Sequence, residues 1–255
     1  MDGFPEFLGL TLLMGLSIFL SLPLVYSRRA QGRWAVVLIA GAIGILLFLL
    51  ADIFADVAPI LYPRGYVADP AEALLFAGAF LVAFLALMAV DALPRGAAGA
   101  EGDPHRTALM IAVAIGLQNL TEGLVFGVNW QAGSVGVLAV VFVGFFLQNV
   151  TEGFPIAAPF LGTAARSGRS RMAGLFLVGG LPIVLGGLVV YHWSSPTFLL
   201  AFDAAAIGAI AYVLLPMLRI ALRPLESREA TLRRHRLVYL GVMIGFLVGF
   251  LVNAI

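Results

Sequence analysis

The sequence predicts an all-α membrane protein with eight transmembrane helices in a single domain, residues 1–255, and three observations support this. Hydrophobic residues make up 62% of the chain and charged residues only 11%, whereas a soluble domain carries about 25% charged residues. Eight apolar segments each have the roughly 20 residues that a bilayer-spanning helix needs. The arginines fall almost entirely on one side of the resulting topology. We therefore expect the chain to be surrounded by a lipid bilayer.

The predicted spans are separated mostly by short links rich in Gly, Pro, Ser or Arg. They cover about residues 7–27, 34–57, 72–93, 107–128, 133–160, 172–193, 197–218 and 237–255. We interpret the first as a retained helix, because no basic segment precedes it and no small-residue cleavage site follows it. The chain has no cysteine, which excludes disulfides and thiolate metal sites.

Arginine placement predicts the orientation. The odd-numbered links carry fourteen of the 15 basic residues, all of them arginine, and the even-numbered links and both termini carry only Arg64. The positive-inside rule makes the arginine-rich side cytoplasmic. We therefore expect a multi-pass protein of the cytoplasmic membrane with both termini outside. A missed or additional helix would destroy this asymmetry, so the arginines support the helix count independently.

The same six-residue pattern occurs on the fourth and fifth predicted helices. It reads Gln118-Asn119-Leu120-Thr121-Glu122-Gly123 and, thirty residues later, Gln148-Asn149-Val150-Thr151-Glu152-Gly153. The glutamine and the glutamate of each copy are four residues apart and share one face of the helix, and the asparagine widens this polar stripe. Ionisable residues are costly in lipid, so a glutamate inside each of two spans indicates a function.

Two such stripes that face each other supply two carboxylates and four side-chain amide oxygens, which suits a divalent cation. The candidate ligands are Gln118, Asn119, Glu122, Gln148, Asn149 and Glu152. All-oxygen ligation favours hard or borderline ions over soft ones. The alternative is that these groups only join two helices through hydrogen bonds, which the amides fit better than the glutamates. Pro155 and Pro159 should kink the fifth helix or free backbone carbonyls near the site.

Other polar residues are weaker candidates. Asp52 and Asp56, four residues apart near the outer end of the second helix, either line an entrance that attracts cations or form a wet helix end, and both interpretations stay open. Asp203 and Asp91 are expected at the membrane interface and not among the ligands. The histidines are expected in solvent, because no two of them have a metal-ligand spacing. They are His105, His192 and His235.

The paired Gln-Asn-X-Thr-Glu-Gly motifs resemble those of the ZIP family of divalent-metal transporters, which carry His-Asn-X-Pro-Glu-Gly on the fourth helix and a related form on the fifth. Residues 75–80 with 91–94, 206–213 and 241–246 resemble the third, seventh and eighth helices of that family. The resemblance implies an eight-helix bundle with inverted-repeat symmetry, often dimeric, with alternating access around a midplane site. It implies a main transport site of Gln118, Glu122, Gln148 and Glu152, bordered by Asn119 and Asn149.

The chain departs from the family pattern at several positions. Gln118 stands where the family has histidine, Thr121 and Thr151 replace its prolines, and residues 181–184 lack its sixth-helix carboxylate. Asp52 and Asp56 keep only the spacing of its second-helix motif. These departures favour one metal site over a two-metal centre. The loss of imidazole weakens the case for zinc and leaves manganese, ferrous iron, cobalt and magnesium open.

We therefore expect a transporter that moves a divalent metal cation inward across the cytoplasmic membrane. The metal is its substrate, and no prosthetic cofactor or nucleic-acid partner is expected. The alternative is a degenerate relative that binds or senses ions without transport. An enzyme is not expected, because the chain has no P-loop signature, and no span holds a His-Glu-X-X-His motif or a serine–histidine pair.

Overall fold

The computed structural model describes residues 3–27, 34–65, 69–93, 103–133, 135–161, 168–192, 195–225 and 227–254. In these ranges the chain is all-helical and contains no strand. Eight of its segments are long and apolar enough to cross a membrane, and we call them spans 1 to 8. They are Phe4–Ser21, Ala35–Leu61, Pro70–Ala92, Pro104–Ala132, Gly136–Phe160, Arg169–Val190, Thr197–Ala221 and Arg228–Asn253. The prediction of an all-helical chain with eight apolar spans is confirmed.

Three spans, the first, fifth and sixth, change their helix type or are interrupted along their length. The α-helices run Phe4–Ser17, Leu22–Val25, Ala35–Leu61, Pro70–Ala92, Pro104–Ala132, Val135–Ala157, Arg169–Gly180, Pro182–His192, Pro196–Ala221 and Arg228–Asn253, with 3₁₀ turns at Ile18–Ser21 and Ala158–Phe160. Span 5 passes Pro155 as an α-helix and tightens into the 3₁₀ turn at Pro159. Span 6 is interrupted at Leu181, because Pro182 lacks the N–H that would continue the helix.

Several helix ends follow directly from local sequence. The Asp69 and Asp103 carboxylates each cap a helix that starts with proline, and they accept hydrogen bonds from the backbone amides two residues further on, at 2.8 and 2.9 Å. Ser227 caps span 8, which starts at Arg228 and not at the predicted residue 237. The prediction began the helix where the sequence becomes apolar, but a capped helix extends through its arginine-rich first turns.

The predicted end of the fourth span at residue 128, followed by a short link at Asn129-Trp130-Gln131, is also wrong. Span 4 continues as a helix to Ala132 and ends at Gly133, whose φ of 71° is the left-handed conformation that favours glycine at a helix end. Trp130 packs against Phe7 and Phe126. These aromatic contacts hold the last turn of span 4 against span 1.

Eight spans that alternate in direction place both ends of the chain at the same end of the bundle, which we call the termini end. Among the ten arginines that the structure describes, only Arg64 lies at this end, and nine lie at the opposite end. The remaining arginines fall outside the described residues. They are Arg28, Arg29, Arg33, Arg95 and Arg166.

Spans 2, 4 and 7 form the centre of the bundle: span 2 packs on span 8, span 4 on span 6, and span 7 on spans 2, 3 and 4. Glycines let these backbones approach closely, as is usual between transmembrane helices. A Cβ atom on Gly44 would meet the carbonyl oxygen of Val242 in span 8, and one on Gly123 would meet that of Ile183 in span 6. Span 3 buries only Leu87, so its apolar surface is available to lipid.

We expect Gly44→Ala to destabilise the protein, because the added methyl group overlaps the span 8 backbone, which cannot move aside as a side-chain tip can. The free energy of unfolding should fall by roughly 1–3 kcal/mol, which is measured as a lower Tm in detergent. Gly78→Ala is the matched control, since nothing lies within 4 Å of a Cβ atom there, and its Tm should not fall. Equal Tm values for the two variants would contradict the close packing of spans 2 and 8.

Candidate cation site

Both polar motifs lie at the middle of their spans. Gln118 has fourteen helical residues on either side in Pro104–Ala132, and Gln148 has twelve on either side in Gly136–Phe160. At about 1.5 Å per residue, Gln118 is about 21 Å from either end of its helix. All six candidate ligands are at most 5% exposed. The motifs are therefore buried at mid-depth in the bundle.

A chain of hydrogen-bonded side chains joins the two motifs. Asn149 Nδ2 donates to Glu122 Oε2 at 3.3 Å. Asn119 Nδ2 donates to Asn149 Oδ1 at 2.9 Å and to Glu152 Oε2 at 3.0 Å. Within span 4, Gln118 Nε2 donates to Glu122 Oε1 at 3.2 Å. The two polar stripes therefore face each other, and amide groups separate the two carboxylates.

Asn119 also connects the motifs to span 6. Its Nδ2 donates to the Gly179 carbonyl at 2.9 Å, next to the interruption at Leu181. An amide nitrogen carries only two hydrogens, so its three acceptors share them. The site is thus anchored to the irregular part of span 6, where Pro182 leaves the helix one backbone donor short.

The two threonines of the motifs bond within their own helices. The hydroxyls of Thr121 and Thr151 donate to the carbonyls of Gln118 and Gln148, both at 2.7 Å. Such bonds to the preceding turn satisfy a hydroxyl in an apolar environment. The Thr121 side chain also faces the carboxyl group of Asp203 in span 7.

Three of the six candidate ligands keep an oxygen that accepts no hydrogen bond from the described residues. These atoms are Gln118 Oε1, Asn119 Oδ1 and Glu152 Oε1, and all three are buried. A buried acceptor without a donor costs about 1–3 kcal/mol. Carboxylate and amide oxygens are ligands that hard divalent cations prefer, so a bound cation would satisfy them.

A cavity of about 280 Å³ connects this site to the termini end of the bundle. From the motifs, Gln118, Thr121, Glu122 and Gln148 line it. Spans 2, 7 and 8 add polar groups from their ends nearest the termini: Asp52, Asp56, Asp203 and Asn253. No basic side chain of the described residues lines the cavity, so its four carboxyl groups favour cations.

The expected interfacial position of Asp203 is wrong. Its side chain is only 6% exposed and lines the cavity beside Thr121. The sequence did contain a signal for this position, because any carboxylate inside an apolar span is costly. Asp203 lies close to the end of its predicted span, however, and was therefore assigned to the interface. Asp91 lies at the opposite end of the bundle, where it accepts a hydrogen bond from the Tyr212 hydroxyl at 3.0 Å.

The structure places Asp52 and Asp56 on the cavity wall, as the entrance interpretation requires. Asp52 Oδ1 accepts a hydrogen bond from Asn253 Nδ2 at 2.7 Å, which joins the ends of spans 2 and 8. The two residues are 201 positions apart, and no local sequence pattern reveals this contact. Asp52 is half-buried and Asp56 is exposed, so the carboxyl groups run from the surface inward.

The histidines lie away from the cavity as far as the structure describes them. The His105 ring packs edge-on against Phe160, with centroids 4.9 Å apart. His235 Nε2 lies 3.2 Å from the Leu222 carbonyl. The side chain of His192 lies outside the description. Among the described residues, the cavity wall therefore offers only oxygen ligands and amide nitrogens.

The six candidate ligands form two layers. Gln118, Glu122 and Gln148 line the cavity, whereas the cavity wall does not include Asn119, Asn149 or Glu152, which lie behind it. Among the described residues, no three His, Asp or Glu side chains are grouped closely enough to hold a metal ion. From the motifs, the cavity wall can offer a cation one carboxylate and two glutamine amide groups, with Glu152 and the two asparagines behind them and water completing the shell.

The fold and the cavity define a class, a multi-pass helical membrane protein with a buried polar site open to an acidic cavity. Comparison of the chain with protein-family models finds no match, and comparison with curated proteins finds none either. The resemblance to ZIP transporters therefore stays a prediction that rests on the paired motifs.

Proposed function

We propose that the protein transports a divalent metal cation across the cytoplasmic membrane, inward, through the cavity and the paired motifs. One observation carries the proposal. A cavity lined by four carboxyl groups ends at a mid-span network in which buried oxygens have no hydrogen-bond donor. Negative potential attracts a cation into the cavity, and the free oxygens supply ligands once it arrives.

The cavity and the network behind it each have a role in this proposal. Asp52 and Asp56, nearest the surface, concentrate cations at the entrance. Glu122 supplies charge at the cavity wall, and Glu152 adds negative charge from the layer behind it; together they help to offset the loss of water from the ion. Gln118 and Gln148 complete the shell with amide oxygens, and Asn119 and Asn149 hold the two carboxylates in place. The metal is the substrate, and alternating access around this mid-span site moves it.

To bind a cation, the side-chain amides must present their oxygen atoms to it in place of their NH₂ groups, which now donate hydrogen bonds. Gln118 Nε2 donates to Glu122 at 3.2 Å, and the same side chain holds the unpartnered Oε1. Both hydrogen bonds to Glu122 exceed 3.1 Å, longer than the usual distance for a charged acceptor. A cation that enters beside Glu122 replaces these long contacts with shorter ionic ones at little cost.

A purely structural role explains the site less well. Interhelical hydrogen bonds in membranes contribute only about 0.6 kcal/mol on average. Two buried glutamates cost more than that to keep in lipid, and neutral residues would join the helices without the cost. The arginine excess at the end opposite the termini supports the orientation with the cavity facing outward, and hence inward transport.

A second candidate function is binding or sensing of cations without transport. It is favoured by the absence, among the described residues, of three His, Asp or Glu side chains grouped for a metal. The stretch of span 6 beside the site, residues 181–184, also lacks a carboxylate. A protein of this kind would bind a cation in the cavity but would not release it to the other side.

Metal uptake into proteoliposomes separates the two candidates. The purified protein is reconstituted, and uptake of Mn²⁺, Fe²⁺, Co²⁺, Zn²⁺ and Mg²⁺ is compared with that of protein-free liposomes. We expect saturable uptake of at least one ion. Binding by calorimetry without flux for any ion would favour the sensor, and neither binding nor flux would contradict both candidates.

A further inference from the structure

The cavity is larger than a bare metal ion requires. Its volume of about 280 Å³ compares with about 30 Å³ for one water molecule in the liquid. The space therefore has room for an ion together with several water molecules. The described residues also group no three His, Asp or Glu side chains that could replace those waters together.

The described residues of the cavity wall present carboxyl groups and amide groups to an ion. Glu122 in span 4 and Asp203 in span 7 bring two carboxyl groups from different helices, and both are nearly fully buried, at 5% and 6% exposed. Gln118 also lines the cavity, is 2% exposed, and has an Oε1 atom without a hydrogen-bond partner among the described residues. No imidazole or thiol of the described residues takes part.

These features match one class of cation. Mg²⁺ gives up its water shell reluctantly, and proteins usually hold it through one or two carboxylates and several waters. Mn²⁺ accepts the same carboxylate, carbonyl and water ligands. Zn²⁺ is instead held mostly by imidazole and thiolate in four-coordinate sites, and the part of the cavity wall that the structure describes has neither ligand.

Building on the proposed transport function, we infer that the cavity takes its cation with part of the water shell retained. It prefers a strongly hydrated, oxygen-preferring cation, Mg²⁺ or Mn²⁺, over Zn²⁺, and Asp203 is a binding residue for that ion. Glu122 and Asp203 together balance the two charges of the cation, and Gln118 Oε1 contributes a neutral oxygen.

The first test measures the preference of the unmodified protein. Mn²⁺ uptake into proteoliposomes is followed with Mg²⁺ or Zn²⁺ as competitor, and kcat/KM is compared for Mn²⁺ and Zn²⁺. We expect a higher kcat/KM for Mn²⁺, and inhibition by millimolar Mg²⁺. Transport of Zn²⁺ with a higher kcat/KM than Mn²⁺, and without inhibition by Mg²⁺, would overturn this inference and leave the transport function intact. No uptake of any divalent ion would instead refute transport itself.

The second test uses variants checked for folding by elution volume and Tm. Asp203→Asn should raise KM for Mn²⁺ by about tenfold. Asp69→Asn is the matched control: it makes the same substitution at the same end of the bundle, on an exposed residue that caps span 3, and asparagine caps as well as aspartate. Gln118→His should lower the Mn²⁺-to-Zn²⁺ ratio of kcat/KM by about tenfold, because imidazole is a ligand that Zn²⁺ prefers over Mn²⁺. An unchanged KM in Asp203→Asn would overturn the assignment of Asp203 as a binding residue, and an unchanged ratio in Gln118→His would overturn the assignment of Gln118 Oε1 as a ligand.

Discussion

Replacing Glu122 by glutamine is expected to reduce divalent-metal uptake by about 100-fold or more. Glu122 is the only carboxylate of the two motifs that lines the cavity. Glutamine has nearly the same size and can still pair with Gln118, but it removes the charge that compensates a cation that has lost part of its water. Uptake into proteoliposomes measures the loss, and Glu152→Gln, on the layer behind, should also lower it.

Glu6→Gln is the control for this experiment. Glu6 is exposed in the first turn of span 1, at the same end of the bundle as the cavity, and does not line it. This variant should transport like the unmodified protein. If Glu122→Gln elutes and melts normally and still transports at the original rate, the site assignment is wrong.

Replacing Asn119 by alanine should have the largest effect on stability of any single change in the site. Its amide nitrogen serves three acceptors on spans 5 and 6: Asn149 Oδ1, Glu152 Oε2 and the Gly179 carbonyl. The side chain is fully buried, so no water replaces the lost donors. Each orphaned acceptor costs about 1–3 kcal/mol, and we expect a clear drop in Tm in detergent.

Asn129→Ala is the matched control on the same helix. Asn129 is only part-buried and donates to the Val125 carbonyl of its own helix at 2.9 Å. Because this bond lies within one helix, its loss removes no contact between spans. The Tm of Asn129→Ala should therefore stay within a few degrees of that of the unmodified protein. A Tm for Asn119→Ala as high as that of Asn129→Ala would contradict the proposed bridge between spans 4, 5 and 6.

The fold was predictable because lipid imposes strong rules on sequence. Every span must be long and apolar, and charged links must fall on defined sides, so composition and arginine placement suffice for eight helices. Helix ends were less predictable. Span 8 starts at Ser227–Arg228 and span 4 runs through Asn129, because caps and glycine set these ends and not the edge of the apolar run.

The site was predictable only where polar residues recur at helical spacing. Gln118 with Glu122 and Gln148 with Glu152 stand out because amides and carboxylates are rare in apolar helices. Which of the six candidate ligands line the cavity and which lie behind it was not predictable, because this depends on the rotation of spans 4 and 5 about their axes. Asp203 and Asn253 were missed for a related reason: their contacts come from spans 7 and 8, far away in sequence.

The most direct test of the cavity as the transport path blocks it chemically. The chain has no cysteine, so Leu199→Cys introduces a single thiol on an apolar part of the cavity wall. Arg64→Cys places the control thiol at the same end of the bundle, on an exposed residue outside the cavity. We predict that a bulky thiol reagent abolishes metal uptake by Leu199→Cys, that the transported ion slows this labelling, and that labelled Arg64→Cys still transports. Full uptake by completely labelled Leu199→Cys would contradict transport through this cavity.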